Sequence, residues 1–150
     1  MDKVDMAAVA RISGRVNLQS IRLTDLVLNA PKLAPPGSPL EPKFTRECIA
    51  LPSESGSISV ACLYDFTVQS SGEEIANIKV KYNVLYRMSG KEPASEEDIK
   101  QFAAANGAYH TWPFLRELIF AFDRVVERLR DAAFDARPVF GESNGKVAVA

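Results

Sequence analysis

The amino-acid sequence predicts an α+β protein in which an antiparallel sheet comes first and helices that cover one of its faces follow. Two segments in the middle of the chain alternate between apolar and polar residues, which is the pattern of half-buried strands. After residue 95 the apolar residues recur with a helical period. The 150 residues include 47% hydrophobic and 25% charged side chains, so we expect one folded domain spanning residues 1–150.

Charge and hydropathy exclude several classes of protein. The formal net charge is −1, whereas nucleic-acid-binding domains usually carry a strongly basic face. No apolar run approaches the roughly 20 residues needed to span a bilayer, and residues 1–16 lack the continuous apolar region of a signal peptide. We therefore expect a cytoplasmic protein that binds no nucleic acid and does not insert into membranes.

Residues 1–29 predict a short helix followed by a long strand. Val4, Ala8 and Ile12 are spaced by four, which indicates a short helix within an N-terminal arm of residues 1–15. The next segment, residues 16–29, is rich in branched apolar residues, but its alternation slips twice. Alternation holds only within three pairs, namely Val16/Leu18, Ile21/Leu23 and Leu26/Leu28. Such slips are typical of β-bulges, so we expect a strand with one or two of them.

Residues 30–42 predict a long crossing loop. They contain five prolines and one glycine, which excludes a helix or an inner strand. The segment is also too long for a tight hairpin. Leu33 and Leu40 are its apolar residues, and they either pin the loop to the core or form one wall of a groove.

Three further strands are predicted between residues 43 and 88. Residues 43–52 form the first of them, and the turn "SSGEE" joins the other two into an antiparallel hairpin. The residues predicted to face the core are Ile58, Val60, Cys62, Tyr64, Phe66 and Val68, followed by Ile78, Val80, Tyr82, Val84, Tyr86 and Met88. The opposite face is expected to be solvated, and it carries Asp65, Asn77 and a basic cluster of Lys79, Lys81 and Arg87.

Two helices are predicted after the sheet. Ser95 and Asp98 resemble a capping box at the start of a short helix. Asn106-Gly107 is predicted to stop this helix. Thr111 is then expected to cap a second helix, with Pro113 in its first turn, which runs to about Ala132.

The second helix is predicted to pack on two sides. At about 100° per residue, one stripe that would cover the sheet consists of Leu115, Leu118, Ile119, Phe122, Val125, Val126 and Leu129. Phe114 lies at the edge of this stripe, and Phe120 lies about 160° from its centre. Arg116 and Arg124 share the side of Phe120. A helix with aromatic residues outside its core-facing stripe is typical of an interface between subunits.

The sequence offers little for catalysis or metal binding. His110 is the only histidine, and Cys48 and Cys62 share the parity of buried strand residues, so neither thiol is expected to be reactive. One histidine and two separated cysteines do not match a metal site. We therefore expect no enzyme, metal or cofactor. A pocket for a small ligand beside Tyr109 and His110 stays open as an alternative.

Several segments resemble the SecB family of protein-export chaperones. "WPFLRE", residues 112–117, is similar to the signature at the start of the family's long helix, and "FAAANGAY" is similar to the short helix and Gly-containing approach before it. "SIRLTDLVLNAPK" resembles the family's first strand and the start of its proline-rich crossing loop, and "ARPVF" resembles the segment after the long helix. The resemblance extends from about Val16 to Phe140.

The resemblance implies both a fold and an activity. The fold is a four-stranded antiparallel sheet with a short and a long helix on one face, assembled through the long helices into a homotetramer that is a dimer of dimers. The activity is ATP-independent holding of unfolded polypeptides or preproteins in a groove between the crossing loop and the long helix. The residues that map to this groove are Leu33, Leu40, Phe44, Tyr109, Trp112 and Phe114. Phe120, Arg116 and Arg124 map to the oligomer interface.

The sequence departs from the family pattern in three places. Members of the family are markedly acidic and dock the motor protein SecA through acidic residues on the outer sheet face, whereas this face carries Lys79, Lys81 and Arg87, which argues against SecA docking. "DAAFDAR" is spaced differently from the family's turn after the long helix. The family's last helix is replaced by "GESNGKVAVA", and residues 141–150 are expected to form a flexible tail.

These departures suit a divergent SecB-like protein. Some relatives of this kind are dedicated chaperones of an antitoxin in toxin–antitoxin systems, so an antitoxin is an expected partner beside export preproteins. An oligomeric adaptor or structural protein that binds one specific folded partner, without general chaperone activity, is the alternative function.

Overall fold

Four strands form one antiparallel sheet in the order β1-β4-β3-β2, which places β1 and β2 at its edges. A computed structural model describes residues 3–32, 34 and 37–121. Its elements are helix α1 (Met6–Ser13), strands β1 (Val16–Asn29), β2 (Glu41–Leu51), β3 (Ser57–Ser70) and β4 (Glu73–Met88), helix α2 (Glu96–Phe102), a π-helical turn (Ala103–Gly107) and helix α3 (Ala108–Ala121). Residues of the helices and of the sheet share one hydrophobic core. The predicted α+β architecture is therefore confirmed.

The hairpin of β3 and β4 forms the centre of the sheet. Its two-residue loop, Ser71-Gly72, has positive φ at both residues, 54° and 78°, as in the turns whose twist matches that of a hairpin. Of the twelve residues predicted to face the core, all except Met88 are buried. Strict alternation therefore predicted the inner face of this hairpin correctly.

The outer face of the hairpin differs from the solvated basic surface that was expected. Asn77 is buried, and its Nδ2 donates to Asp65 Oδ1 at 2.6 Å and to Thr67 Oγ1 at 2.7 Å, which satisfies the buried amide. In the strand register Lys79 lies opposite Asp65, and Lys81 lies opposite a further carboxylate, Asp25 of β1. The outer face consequently carries charges of both signs.

Strand β1 contains two bulges, where the sequence predicted one or two. Its register against β4 shifts between Leu18 and Ser20 and again between Leu23 and Asp25. Each shift reverses the parity of the strand, since successive side chains point to opposite faces. At the second bulge Thr24 Oγ1 donates to the Lys81 carbonyl at 3.2 Å. As a result all six branched residues of the predicted pairs lie opposite inward-facing residues of β4.

Strand β2 begins earlier than the sequence predicted. It starts at Glu41 rather than residue 43, and it ends at Leu51 rather than residue 52. Pro42 therefore belongs to the strand and not to the crossing loop. Proline is tolerated here because β2 is an edge strand, where one side of the backbone has no strand partner in the described sheet.

The predicted stop between the two C-terminal helices is wrong. Asn106 and Gly107 lie in a π-helical turn that connects α2 directly to α3, so the backbone stays helical from Glu96 to Ala121. Thr111 is consequently not a cap but a fully buried residue inside α3, and Pro113 also lies within that helix. The capping role of Ser95 is confirmed, because its side chain accepts a hydrogen bond from the Asp98 amide.

Gly107 is required by close packing between the helix and the sheet. A Cβ atom at this position would lie 2.8 Å from Cys62 Sγ, 3.0 Å from Val60 Cγ1 and 3.2 Å from Cys48 Cβ. Real Cβ atoms do not approach sulfur so closely, so only glycine lets the π-helical turn rest on β2 and β3. The Asn106-Gly107 pair is therefore explained by a close contact between the helix and the sheet and not by the end of a helix.

Helix α1 packs against α2 near the start of the chain. Asp5 caps α1 by accepting hydrogen bonds from the amides of Ala7 and Ala8, and the predicted helix at residues 4–12 is confirmed with bounds Met6–Ser13. Arg11 donates to both carboxylate oxygens of Asp98 at 2.9 Å. This exposed pair lowers the pKa of Asp98 mainly through the hydrogen bond from Arg11.

Several predictions lie outside the described residues. They concern Leu33, Arg124, the stripe residues from Phe122 onward, "ARPVF" and the tail of residues 141–150. The assignment of residues 1–150 to one domain stays a prediction. Over the ranges that the structure describes, no helix combines the length and apolarity needed to cross a bilayer.

Replacing Gly107 by alanine tests the close contact between helix and sheet. We expect Gly107→Ala to lower the free energy of unfolding by about 1–3 kcal/mol, the usual cost of overpacking, despite the higher helix propensity of alanine. Urea denaturation followed by circular dichroism measures this change.

Gly14→Ala is the matched control, because its new Cβ would meet only the Ala10 carbonyl, at 3.9 Å. The double variant Gly107→Ala/Cys62→Ala should regain part of the loss, since it removes the nearest clashing atom. A Gly107→Ala variant as stable as Gly14→Ala would contradict the contact.

Candidate functional site

An aromatic contact joins the edge strand β2 to helix α3. The Phe44 ring lies 5.7 Å from Trp112 and 5.8 Å from Tyr64, measured between centroids. Trp112 is only 9% exposed and belongs to the core, while Phe44 is half-buried. The structure thus brings two of the predicted groove residues together, as the floor between β2 and α3 rather than as exposed contacts.

Helix α3 exposes aromatic residues on two separate flanks. Tyr109 is 61% exposed, and at about 100° per residue it shares one flank with Arg116 and Phe120. We call this the Tyr109 flank. Phe114 is 51% exposed but lies about 140° from Tyr109 around the helix, on what we call the Phe114 flank, with Leu118. The predicted groove residues therefore do not all line one surface.

Contacts to the sheet orient the two flanks. Trp112 contacts Phe44 of β2, whereas His110 contacts Tyr86 of β4, with Nδ1 2.7 Å from the tyrosine hydroxyl. Around the helix axis, the Tyr109 flank lies about 60° from Trp112, so it faces the β2 side of the sheet. The Phe114 flank lies on the side of His110, so it faces β4 and β1. On the Tyr109 flank the Arg116 guanidinium lies 5.3 Å above the Phe120 ring.

Part of the inner sheet face is exposed beside the helices that the structure describes. Leu18 and Leu23 of β1 lie opposite the buried residues Tyr86 and Tyr82, yet they are 43% and 47% exposed. Near the other edge of the sheet, Leu40 of the crossing loop is partly buried against the core. Apolar surface is therefore available on both sides of α3.

A chain of buried polar groups runs beneath this surface. The Tyr64 hydroxyl is hydrogen-bonded to Thr111 Oγ1, which donates to the Gly107 carbonyl at 2.7 Å. Thr111 was predicted to be a cap, and its buried role could not be read from a local motif. Burial raises the pKa of Tyr64 well above its ordinary value, so the hydroxyl stays neutral and acts as a hydrogen-bond donor.

Arg46 lies beside this chain and was missed by the sequence analysis. It is opposite Tyr64 in the register of β2 and β3, is 3% exposed, and its Nη1 has no hydrogen-bond partner among the described residues. Burial lowers the pKa of its guanidinium from the ordinary value. The signal was present in the sequence, because a charged residue stands at the inward parity between Phe44 and Cys48.

The cysteines and the histidine do not form a reactive pair. Cys48 and Cys62 lie directly opposite each other and are buried as free thiols, as the sequence predicted. The hydrogen bond to Cys62, followed by burial, raises the pKa of Cys48 well above its usual value, which disfavours the nucleophilic thiolate. His110 Nδ1 is hydrogen-bonded to the Tyr86 hydroxyl.

The outer face of the sheet carries a depression of about 380 Å³ whose lining includes Asp25, Glu47, Leu63, Asp65, Lys79 and Lys81. Its lining mixes carboxylates and ammonium groups with apolar side chains, so it has no single charge preference. Among the described residues, no cluster of three or more His, Cys, Asp or Glu side chains could hold a metal ion.

Comparison with solved structures identifies the fold. No protein-family model matches the sequence, and no curated protein matches it. Among solved structures, the chain resembles a SecB-like chaperone from Mycobacterium tuberculosis, solved in complex with a ChAD peptide from the HigA1 antitoxin. The TM-score is 0.71 at 18% sequence identity, covering 79% of this chain and 88% of that one.

A weaker likeness is found to a protein of unknown function from Streptococcus agalactiae, with a TM-score of 0.43 at 15% identity over 83% of this chain and 94% of that one. This score is too low to support an argument. The first comparison establishes that the chain has the SecB-like fold, as the resemblance in its sequence implied.

Replacing Thr111 by valine tests the buried polar chain. Valine has nearly the same shape as threonine, but it cannot accept a hydrogen bond from the Tyr64 hydroxyl or donate one to the Gly107 carbonyl. We expect Thr111→Val to lower the free energy of unfolding by about 1–3 kcal/mol, because a buried hydroxyl loses its acceptor. Urea denaturation of Thr111→Val, Tyr64→Phe and the double variant measures the coupling. The double variant should lose less free energy of unfolding than the sum of the losses in the two single variants. Strictly additive losses would contradict the hydrogen bond between Tyr64 and Thr111.

His110 is expected to make stability depend on pH. Burial lowers its pKa in the folded protein from 6.5, so the unfolded chain binds a proton first as pH falls. Stability should therefore be lost as pH falls through about 6.5 towards the lower folded-state pKa. His110 is the only histidine, so His110→Gln should remove the slope measured by urea denaturation between about pH 7.5 and 5.5. An unchanged slope in that variant would contradict the assignment.

Proposed function

We propose that this protein is an ATP-independent chaperone of the holdase type, which binds unfolded polypeptide segments at apolar surfaces beside α3. The observation that carries the proposal is the exposure of Tyr109 and Phe114, at 61% and 51%, on a helix of a SecB-like fold. Aromatic side chains offer large contact area at low cost in conformational entropy, and they accept many client sequences. The proposed activity requires no catalytic group.

The client surface is proposed to include the crossing loop and β2. Leu40 and Phe44 are partly buried and continue the apolar surface from the Tyr109 flank, and Leu33 is assigned to it from the sequence. Trp112 supports this surface from below through its contact with Phe44. A wall of half-buried side chains suits a client because it adds apolar area without exposing all of it in the free protein.

An antitoxin segment is the proposed dedicated client. The M. tuberculosis structure contains a peptide from an antitoxin, and this supports the same class of partner for the present chain. Export preproteins are the broader client class that the family resemblance implies. The mixed charge of the outer sheet face argues against docking of SecA, which the family binds through acidic residues.

A homotetramer formed as a dimer of dimers is the proposed assembly. Support comes from Phe120, half-buried beside Arg116 on the Tyr109 flank, and from the exposed inner-face residues Leu18 and Leu23. Arg124 is assigned to the same interface from the sequence. A cytoplasmic location is proposed with this assembly, since the client would be captured before export or folding.

Loss of the two exposed aromatic side chains should weaken client holding. We expect Tyr109→Ser/Phe114→Ser to weaken client binding about tenfold or more, since burying one such side chain contributes about 1.5–3 kcal/mol. Light scattering of a chemically unfolded reporter, diluted into buffer with and without the protein, measures the suppression of aggregation.

The matched control is Ile49→Thr/Leu85→Ser, because these residues are 41% and 40% exposed on the outer face. Size-exclusion chromatography should show the same assembly for all three proteins. If the wild type fails to suppress aggregation at several-fold excess, the holdase proposal is wrong, and an adaptor for one folded partner becomes the better explanation.

A further inference from the structure

Arg46 is a buried cation at the base of the proposed client surface. Within the part of the chain that the structure describes, it is the only buried charged side chain, at 3% exposure. Its inward-facing neighbours along β2 are Phe44 and Cys48, and Tyr64 lies opposite on β3. None of these three neighbours carries a carboxylate.

The hydrogen bonding of Arg46 is incomplete. Nη1 is buried and has no hydrogen-bond partner in the part of the chain that the structure describes, and Arg46 forms no ion pair with a described residue. A buried charge without a counter-ion destabilises the folded state by several kcal/mol. Burial accordingly lowers the pKa of the guanidinium. A carboxylate supplied from outside would remove this penalty, because its two oxygens match the planar fork of arginine.

The position of Arg46 on an edge strand indicates how such a carboxylate could arrive. Strand β2 pairs with β3 on one side, and no described strand pairs with its other side. An extended peptide that adds to this edge would place every second side chain on the inner face, about 4.5–5.5 Å in Cβ distance from its partner on β2. The peptide residue opposite Arg46 would then reach the guanidinium.

We propose that Arg46 determines client specificity by pairing with an Asp or Glu side chain of an extended client segment added to the edge of β2. The inference rests on the proposed function, because it assigns a sequence preference to the same surface. The client residues two positions before and after the acidic residue lie opposite Phe44 and Cys48 and are apolar. The preferred client therefore has the pattern apolar–any–acidic–any–apolar.

The test compares two end-capped synthetic peptides of 11 residues in which serine and leucine alternate, starting with serine. The central leucine is replaced by glutamate in one peptide and by glutamine in the other. Fluorescence anisotropy should show that the wild type binds the glutamate peptide about 10- to 100-fold more tightly, the range expected for a hydrogen bond to a charged group. The preference should persist at high salt, because a buried pair is screened far less than a surface pair.

Variants then assign the preference to Arg46. Arg46→Met should abolish the preference, so that the glutamate and glutamine peptides bind with equal affinity, and Arg46→Lys should retain part of the preference. Lys43→Met is the control, since it removes the same charge from the outer face of the same strand. In the free protein Arg46→Met should raise the urea midpoint, because it removes an unpaired buried charge.

The outcomes separate this inference from the proposed function. Equal binding of both peptides by the wild type overturns the inference and needs no variant, while aggregation suppression would still stand. A fall in the urea midpoint of Arg46→Met would also overturn it, by showing that Arg46 is already paired in the free protein. If neither peptide binds and the reporter aggregates freely, the proposed function itself fails.

Discussion

The architecture depends on the direct contact between the π-helical turn and the sheet at Gly107. With no side chain on this residue, the helix backbone approaches Cys62, Val60 and Cys48 to within distances that exclude even a methyl group. This depth places Thr111 within reach of Tyr64 and sets Trp112 against Phe44. A helix held further from the sheet would lose the buried hydrogen bonds and open a gap in the core, which is costly because interiors are close-packed.

The same contact decides which aromatic residues are left for binding. Once the face with Trp112, Leu115 and Ile119 is buried, helical geometry turns Tyr109 and Phe114 outwards onto opposite flanks. The exposed apolar area is therefore a consequence of helix depth and rotation. The proposed client surface would lower the solubility of the free protein and gain contacts that tolerate many client sequences. In the proposed pairing with an acidic client residue, Arg46 would add one point of chemical selectivity to this surface.

Much of the sheet could be predicted because the pattern of a strand is local. Alternation alone identified the inner face of β3 and β4, and the slips in alternation located the two bulges of β1, since each bulge shifts the parity by one residue. The helix stop failed for the opposite reason. Asn106-Gly107 has the local chemistry of a helix end, but tertiary packing needed a glycine within a continuous helix and overrode the propensity. Of the residues assigned to the groove, Phe44 and Trp112 are in contact while Phe114 lies on another flank of the helix, and their role in client binding stays a prediction.

The sequence by itself determined the strand faces, the bulges, the capped start of α2 and the SecB-like resemblance, because each depends on residues close together in the chain. Only the tertiary structure decided the continuity of α2 and α3, the burial of Trp112 and Thr111, and the solitary charge of Arg46. These features depend on contacts between atoms of β2, β3 and the helix across the core. The residue spacing within one segment does not show which residues of a distant segment it will contact.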